Sequence, residues 1–242
     1  MKKTIVITGA SRGIGKAIAI ELAGKDTNIV INCVNNVDKL NEVKSIIEEK
    51  GSVCETFIGD MGNYSDVQKM FDMCLQRFGQ VDVLINNAGI SVVGLFQDMD
   101  ENEWHRICNT NIDSVFNCCH FAVKDMMKRH CGKIINISSV WGLYGASCEV
   151  AYSATKGAVN SFTKALAKEL APSGIQVNAV ACGAIDTEMN GHLSDDDKAS
   201  LAEEIPAGRF GSPQEVAKLV KSLSGMNSYL TGQIITLDGG WI

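Results

Sequence analysis

A chain of 242 residues with 45% apolar residues is long and apolar enough to bury a large core as one globular domain. Its net charge of −6 at pH 7 disfavours non-specific nucleic-acid binding. The nine cysteines are scattered without a Cys-x-x-Cys pair and the four histidines do not cluster, which predicts reduced thiols in a cytosolic protein and no metal site. After Lys2 and Lys3 the apolar run is broken at Thr8-Gly9, too early for an export signal or a membrane span.

Thr4 to Thr8 is a β-branched run of the kind found in strands buried on both faces. Gly9-Ala-Ser-Arg-Gly13-Ile-Gly15 follows, and then an amphipathic helix from about Lys16 to Ala23. Strand, glycine loop and helix start together predict a dinucleotide pyrophosphate site. Glycine lets backbone approach the phosphates, and the helix N-terminus favours their charge. The spacing is Gly-x-x-x-Gly-x-Gly, so a glycine-rich turn without that role is the alternative.

A second strand, Asn28 to Val34, leads to Asn35 and Asn36, where such folds test the adenosine ribose. A carboxylate there would repel a 2′-phosphate; the chain has asparagines, and Arg12 is placed to meet that phosphate. NADP(H) is therefore expected over NAD(H), with a merely solvated Arg12 as the alternative. Helix Val37 to Lys50, strand Val53 to Ile58, helix Ser65 to Phe78 and strand Val81 to Ile85 continue the alternation, which predicts a parallel sheet with right-handed crossovers. Asp60 and the turn Asn86-Asn87-Ala88-Gly89 fall at carboxyl ends of strands, where such sheets bind ligands. A turn cap is the other reading of Asp60.

One long helix is predicted from Glu101 to about His130, with the polar Asn111 among apolar neighbours. Strand Lys133 to Ser138 precedes Ser139, Trp141 and the segment Tyr152-Ser-Ala-Thr-Lys156. Tyr152 and Lys156 are four apart in a helical pattern, so both side chains share one face. A phenol beside an ammonium ionises more easily and becomes a usable general acid. Strand Ile175 to Ala181 runs into Cys182-Gly183, the acidic stretch around 188–207 is the candidate lid, Ser212-Pro213 with Glu215 starts a helix, and Thr231 to Gly240 ends the chain as a strand.

These motifs in this order resemble a short-chain dehydrogenase/reductase over the whole chain: TGASRGIG, Asp60, Asn-Asn-Ala-Gly, Asn111, Ser139, Tyr152 with Lys156, Cys182-Gly183 to Thr187, and TGQIITLDGG. The resemblance implies an α/β Rossmann-type doubly wound sheet of seven parallel strands in one domain, residues 1–242, and a nicotinamide cofactor. It implies cofactor contacts from Gly9, Ser11, Arg12, Gly13, Ile14, Gly15, Asn35, Asp60, Met61, Asn87, Ala88, Gly89, Gly183, Ile185 and Thr187, besides Tyr152 and Lys156. Catalysis would fall to Asn111, Ser139, Tyr152 and Lys156: Ser139 binds the substrate oxygen, Tyr152 gives it a proton, Lys156 lowers the tyrosine's pKa, and Asn111 holds a relay water. Cys182 stands where the family usually has proline, which puts the order of that loop in question.

Within the family, IPAGRFGSPQEVA is similar to the 3-oxoacyl-carrier-protein reductases. For docking an acidic carrier, Lys128 and Arg129 supply one candidate contact. The run SSVWGLYGASCEVAYSATKGA is similar to reductases of 5-aminopentanone-modified elongation factor P. On that reading Trp141 and Glu149 join Ser139 and Tyr152 at the substrate, and the Glu149 carboxylate meets its ammonium. A helix-start role is the alternative for Glu149. A homo-oligomer, tetramer or dimer, is expected, and a nucleotide-sensing protein without catalysis is the remaining alternative.

Overall fold

Seven parallel strands form one sheet in the order β3-β2-β1-β4-β5-β6-β7. They are β1 (Lys3–Ile7), β2 (Thr27–Cys33), β3 (Val53–Ile58), β4 (Val83–Asn86), β5 (Gly132–Ser139), β6 (Ile175–Cys182) and β7 (Ile234–Leu237). The computed structural model describes residues 2–191, 193–225 and 229–242.

Alternation along the strands divides the core in two. Ile5 and Ile7 of β1, with Ile29 and Ile31 of β2, face α1 (Gly13–Leu22), α2 (Val37–Glu49) and, through Val216 and Val220, a helix near the end of the chain. Val6 and Val30 face the other side, with Phe71 of α3 (Tyr64–Phe78) among their neighbours. Both faces are covered, which is why the strands read as unbroken apolar runs rather than alternating ones.

The helix expected from Glu101 to about His130 is three pieces. α4 (Glu101–Cys108) and α5 (Ser114–Arg129) are separated by a π-helical turn, Asn109–Asp113. The turn has a cause in its side chains: Asn109 Nδ2 donates to Asp60 Oδ2 at 3.2 Å, and Asn111 bonds the backbone of Ile90. Widening one turn lets both asparagines face the sheet's carboxyl edge, and such bulges concentrate at functional sites.

A single turn, α6 (Trp141–Tyr144), precedes α7 (Val150–Leu170), which carries Tyr152 and Lys156. The candidate lid is a 3-10 turn, Glu188–Asn190, and α8 (Asp195–Glu204), started by a reciprocal capping box between Ser194 and Asp197. His192, inside the expected lid, lies outside the described residues. α9 (Pro213–Ser224) starts with the Ser212–Glu215 capping box that its sequence predicts. The last strand is shorter than expected, ending at Leu237 because Asp238 accepts from the backbone N–H of Gly240 at 3.0 Å and Ile242 at 3.1 Å, which turns the chain. Among the described residues no helix is long and apolar enough to cross a membrane.

Candidate active site

Strand order reverses between β1 and β4, and the crevice outside their carboxyl ends is where a doubly wound sheet receives a ligand. Thr8 follows β1 there, and its Oγ1 accepts from the backbone N–H of Asn87 and Ala88, both at 3.0 Å. Asn87 returns the link, its Nδ2 donating to Thr8 O at 2.9 Å and Gly9 O at 3.0 Å. The glycine loop and the Asn-Asn-Ala-Gly turn are thus one interlocked unit, and the Asn87 side chain serves the loop.

The glycines are required by close approach. Gly9 has φ +64°, and a Cβ on it would lie 2.9 Å from Ala88 Cα. A Cβ on Gly15 would overlap Gly9 O. α1 begins at Gly13 with no side-chain cap, so its first N–H groups face the crevice without a side-chain partner. A bare helix N-terminus behind a loop that a single Cβ would fill fits a pyrophosphate. Ser11 and Ile14 lie on the same loop, Ser11 buried and Ile14 half-buried against the core.

At the adenosine end, Asn35 is exposed just beyond β2, and Asn36 precedes α2 without capping it by its side chain. Arg12 is not a free loop charge. Its Nη1 lies 2.8 Å from Glu188 Oε2, and Lys39 Nζ lies 2.9 Å from Glu188 Oε1. Lys39 and Arg12 together hold the Glu188 carboxyl below the usual carboxylate range. Asp60 makes the turn contact that its alternative reading predicts, Oδ1 accepting from Gly62 N–H at 2.8 Å, while Met61 is buried behind it.

At the other end of the crevice, Ser139 ends β5, and α7 brings Tyr152 and Lys156 against it. A hydrogen bond with Ser139 favours the ionised tyrosine, but burial outweighs it and raises Tyr152 well above the ordinary tyrosine value. The expected lowering by Lys156 is therefore not found. Lys156 Nζ donates to Ile137 O at 2.8 Å and stands 5.6 Å from the Tyr152 ring centre, and burial lowers its own pKa to about 8. Each group is penalised for charge by the same loss of water.

Asn111 is wholly buried, its Oδ1 accepting from Ile90 N–H at 2.8 Å and its Nδ2 donating to Thr155 Oγ1 at 3.1 Å. A Cβ on Gly89 would lie 3.4 Å from both Asn111 Oδ1 and Lys156 Nζ, so the two groups face one glycine. Cys182 closes the floor, paired with Ser139 on one side and Leu237 on the other. The loop after it is ordered without proline: Gly183 N–H donates to Leu237 O at 3.0 Å, Ile185 bridges to Gly211, and Thr187 packs on Gly13.

Glu149 is half-buried, three residues before Tyr152, and gives α7 no side-chain cap. Its Oε1 accepts instead from Ser91 Oγ, and its charge disfavours the tyrosinate. Trp141 packs edge-on against Trp241, ring centres 4.9 Å apart. Ser91, Trp241 and Lys39 were not singled out by the sequence; a lone serine or tryptophan carries no spacing signal. Arg129, expected to help dock a carrier, is turned inward, with Asp125 at 2.9 Å and Asp82 at 3.0 Å.

A doubly wound sheet whose crevice joins a glycine-lined dinucleotide cradle to a Ser-Tyr-Lys cluster defines a nicotinamide-dependent oxidoreductase. The chain belongs to the short chain dehydrogenase family, which matches residues 3–198. It is 40% identical to the 3-oxoacyl-[acyl-carrier-protein] reductase FabG of Staphylococcus epidermidis over 241 residues, 99% of each chain. The FabG of Chlamydia trachomatis serovar D is 37% identical, covering 99% of this chain and 97% of that one. Among solved structures, ElxO with NADP bound superposes with a TM-score of 0.91 at 34% identity, over 100% of this chain and 99% of that one.

Proposed function

We propose that the chain is an NADPH-dependent ketone reductase whose substrate carries a cation, and that the group it reduces is the 5-aminopentanone modification of elongation factor P. The observation that carries the substrate is Glu149, a half-buried carboxylate beside Tyr152 with no ion-pair partner among the described residues. An ammonium there gains from the opposite charge as both lose water. An acyl chain gives no reason for a carboxylate at that place.

NADPH supplies the hydride. Ser139 donates to the substrate oxygen as negative charge grows on it, and Tyr152 protonates that oxygen. A developing alkoxide is far more basic than a phenolate, so the transfer runs downhill even from a tyrosine with a raised pKa. Lys156, protonated at neutral pH with a pKa of about 8, stabilises the tyrosinate left behind. Asn111 holds the Gly89-Ile90 turn against Lys156. Arg12, and the asparagines where a carboxylate would repel a 2′-phosphate, favour NADP(H) over NAD(H). An intact catalytic set weighs against a cofactor sensor, which needs only the dinucleotide half.

The second reading, reduction of 3-oxoacyl carrier protein, is favoured by full-length likeness to FabG and by the exposed Val93, Leu95 and Phe96. That loop is tied to the site through Gly94 N–H and Cys148 O at 2.8 Å, and an apolar rim suits an acyl chain. A homo-oligomer belongs to either reading, through the exposed Tyr64 and Phe116, which flank His120.

The experiment is Glu149→Gln, which keeps the shape and removes the charge. Efficiency on aminopentanone-modified elongation factor P is expected to fall about ten-fold or more, with little change on an uncharged ketone, because a desolvated ammonium loses its counter-charge. If the ratio of the two efficiencies does not move, the acyl-carrier reading takes the lead.

A further inference from the structure

Three charged side chains from distant parts of the chain meet at the adenosine end of the crevice. Arg12 immediately precedes α1, Lys39 lies in the first turns of α2, and Glu188 opens the 3-10 turn after Thr187. One carboxylate spans both cations, Oε2 at 2.8 Å from Arg12 and Oε1 at 2.9 Å from Lys39. The cluster therefore holds two positive charges against one negative, and it sits just beyond β2, where Asn35 and Asn36 leave no carboxylate to bind a 2′-hydroxyl. Resting on the reading of the chain as NADP(H)-dependent, we propose that Glu188 is an internal surrogate for the 2′-phosphate. It holds Arg12 and Lys39 together in the cofactor-free protein and is displaced from them by NADP(H) but not by NAD(H), so Lys39 and Glu188 with Arg12 set the cofactor preference.

The physical case rests on exchange. A phosphate brings more charge and three acceptor oxygens, so it satisfies two cations better than a carboxylate does. Long basic side chains lose rotamer freedom when they are fixed, by the carboxylate as by the phosphate, so the exchange turns on charge and acceptor number rather than on ordering. The 2′-hydroxyl of NAD(H) carries no charge and has nothing to offer in exchange, so with that cofactor the carboxylate keeps its partners. Glu188 is thus a competitor that only a phosphate beats. Its bonds are solvent-exposed, the three side chains being 61%, 44% and 52% exposed for Arg12, Lys39 and Glu188. Each contact is accordingly worth a few-fold in affinity rather than orders of magnitude.

The test is the dissociation constant of NADPH and of NADH, measured separately by titration of the full chain without substrate. The wild-type protein is expected to bind NADPH tighter. Glu188→Gln removes the competing charge and is expected to tighten NADPH about three-fold or more, leaving NADH within about two-fold. Lys39→Met keeps the stem, removes the charge, and is expected to weaken NADPH about three-fold or more with NADH unchanged. Should Glu188→Gln weaken or leave unaltered NADPH binding, or should either variant shift both cofactors alike, the surrogate role is wrong and Glu188 only staples its turn to α2. A wild-type protein that binds the two cofactors equally overturns the NADP(H) reading, and with it this inference. A wild-type preference that neither variant moves overturns the inference alone.

Discussion

Lys156 is the residue on which burial and chemistry oppose each other most directly. It is 4% exposed, donates to one backbone carbonyl, and has a pKa lowered by burial from 10.5 to about 8. Below about pH 8 both folded and unfolded chains carry its charge, so the folded protein bears the full cost of desolvating it. Between about 8 and 10.5 the unfolded chain binds the extra proton, so stability rises with pH through that window. The gap corresponds to about 3 kcal/mol. Lys156→Met is therefore expected to abolish turnover yet raise stability at pH 7 by on the order of 1–3 kcal/mol, the lost hydrogen bond offsetting part of the gain. Denaturant unfolding at pH 7 and pH 10 measures it. The gain should shrink at the higher pH, and a gain equal at both would contradict burial as the cause. That Tyr152 and Lys156 share one helical face is legible from their spacing, but the direction of both pKa shifts is not, because it depends on how much water the fold removes.

Among the elements, α6 and α7 show how one glycine positions the catalytic face. A Cβ on Gly142 would lie 2.6 Å from the Lys156 carbonyl carbon and 2.8 Å from its oxygen, both backbone atoms that cannot swing away. Gly142→Ala is expected to push α6 off α7, carrying Trp141 away from Trp241 and Ser139. We expect a loss of about 1–3 kcal/mol in stability and ten-fold or more in kcat/KM, read by unfolding and steady-state assay. Unchanged kinetics would mean that α6 can shift without disturbing the site. Elements were legible wherever periodicity or capping was local: β3 and the Ser212-Glu215 start of α9 fall where the sequence puts them. The π-helical turn at Asn109–Asp113 was not, because its cause is the distant Asp60 and Ile90.

At the scale of the molecule, Arg129 fastens the edge of the sheet opposite the crevice. It joins Asp125 of α5 to Asp82 before β4; Asp82 in turn accepts from the backbone N–H of Thr4 at 2.7 Å, and Asp125 from that of Val81 at 3.0 Å. Two carboxylates, each 15% exposed, depend on one guanidinium. Arg129→Ala leaves both without their cation, and we expect a loss of about 2–4 kcal/mol by denaturant unfolding. Activity on a soluble ketone at low temperature should be kept. A variant as stable as wild type that fails only on a protein-carried substrate would instead make Arg129 a docking residue.

Resemblance to the family implied the catalytic set; the sequence by itself determined the succession of strands and helices, the parallel sheet and the glycine loop. These follow from properties that act over a few residues: apolar period, β-branching, glycine's missing Cβ, and helical spacing. Only the tertiary structure decided which charges meet. Arg12 finds Glu188 across 176 residues, and Lys39 finds it across 149. Trp241 returns to Trp141, Arg129 turns inward, and burial sets the titration of Tyr152 and Lys156. Such contacts join segments far apart in the chain, and electrostatic energies depend on the water that packing excludes. Neither quantity exists until the chain has folded.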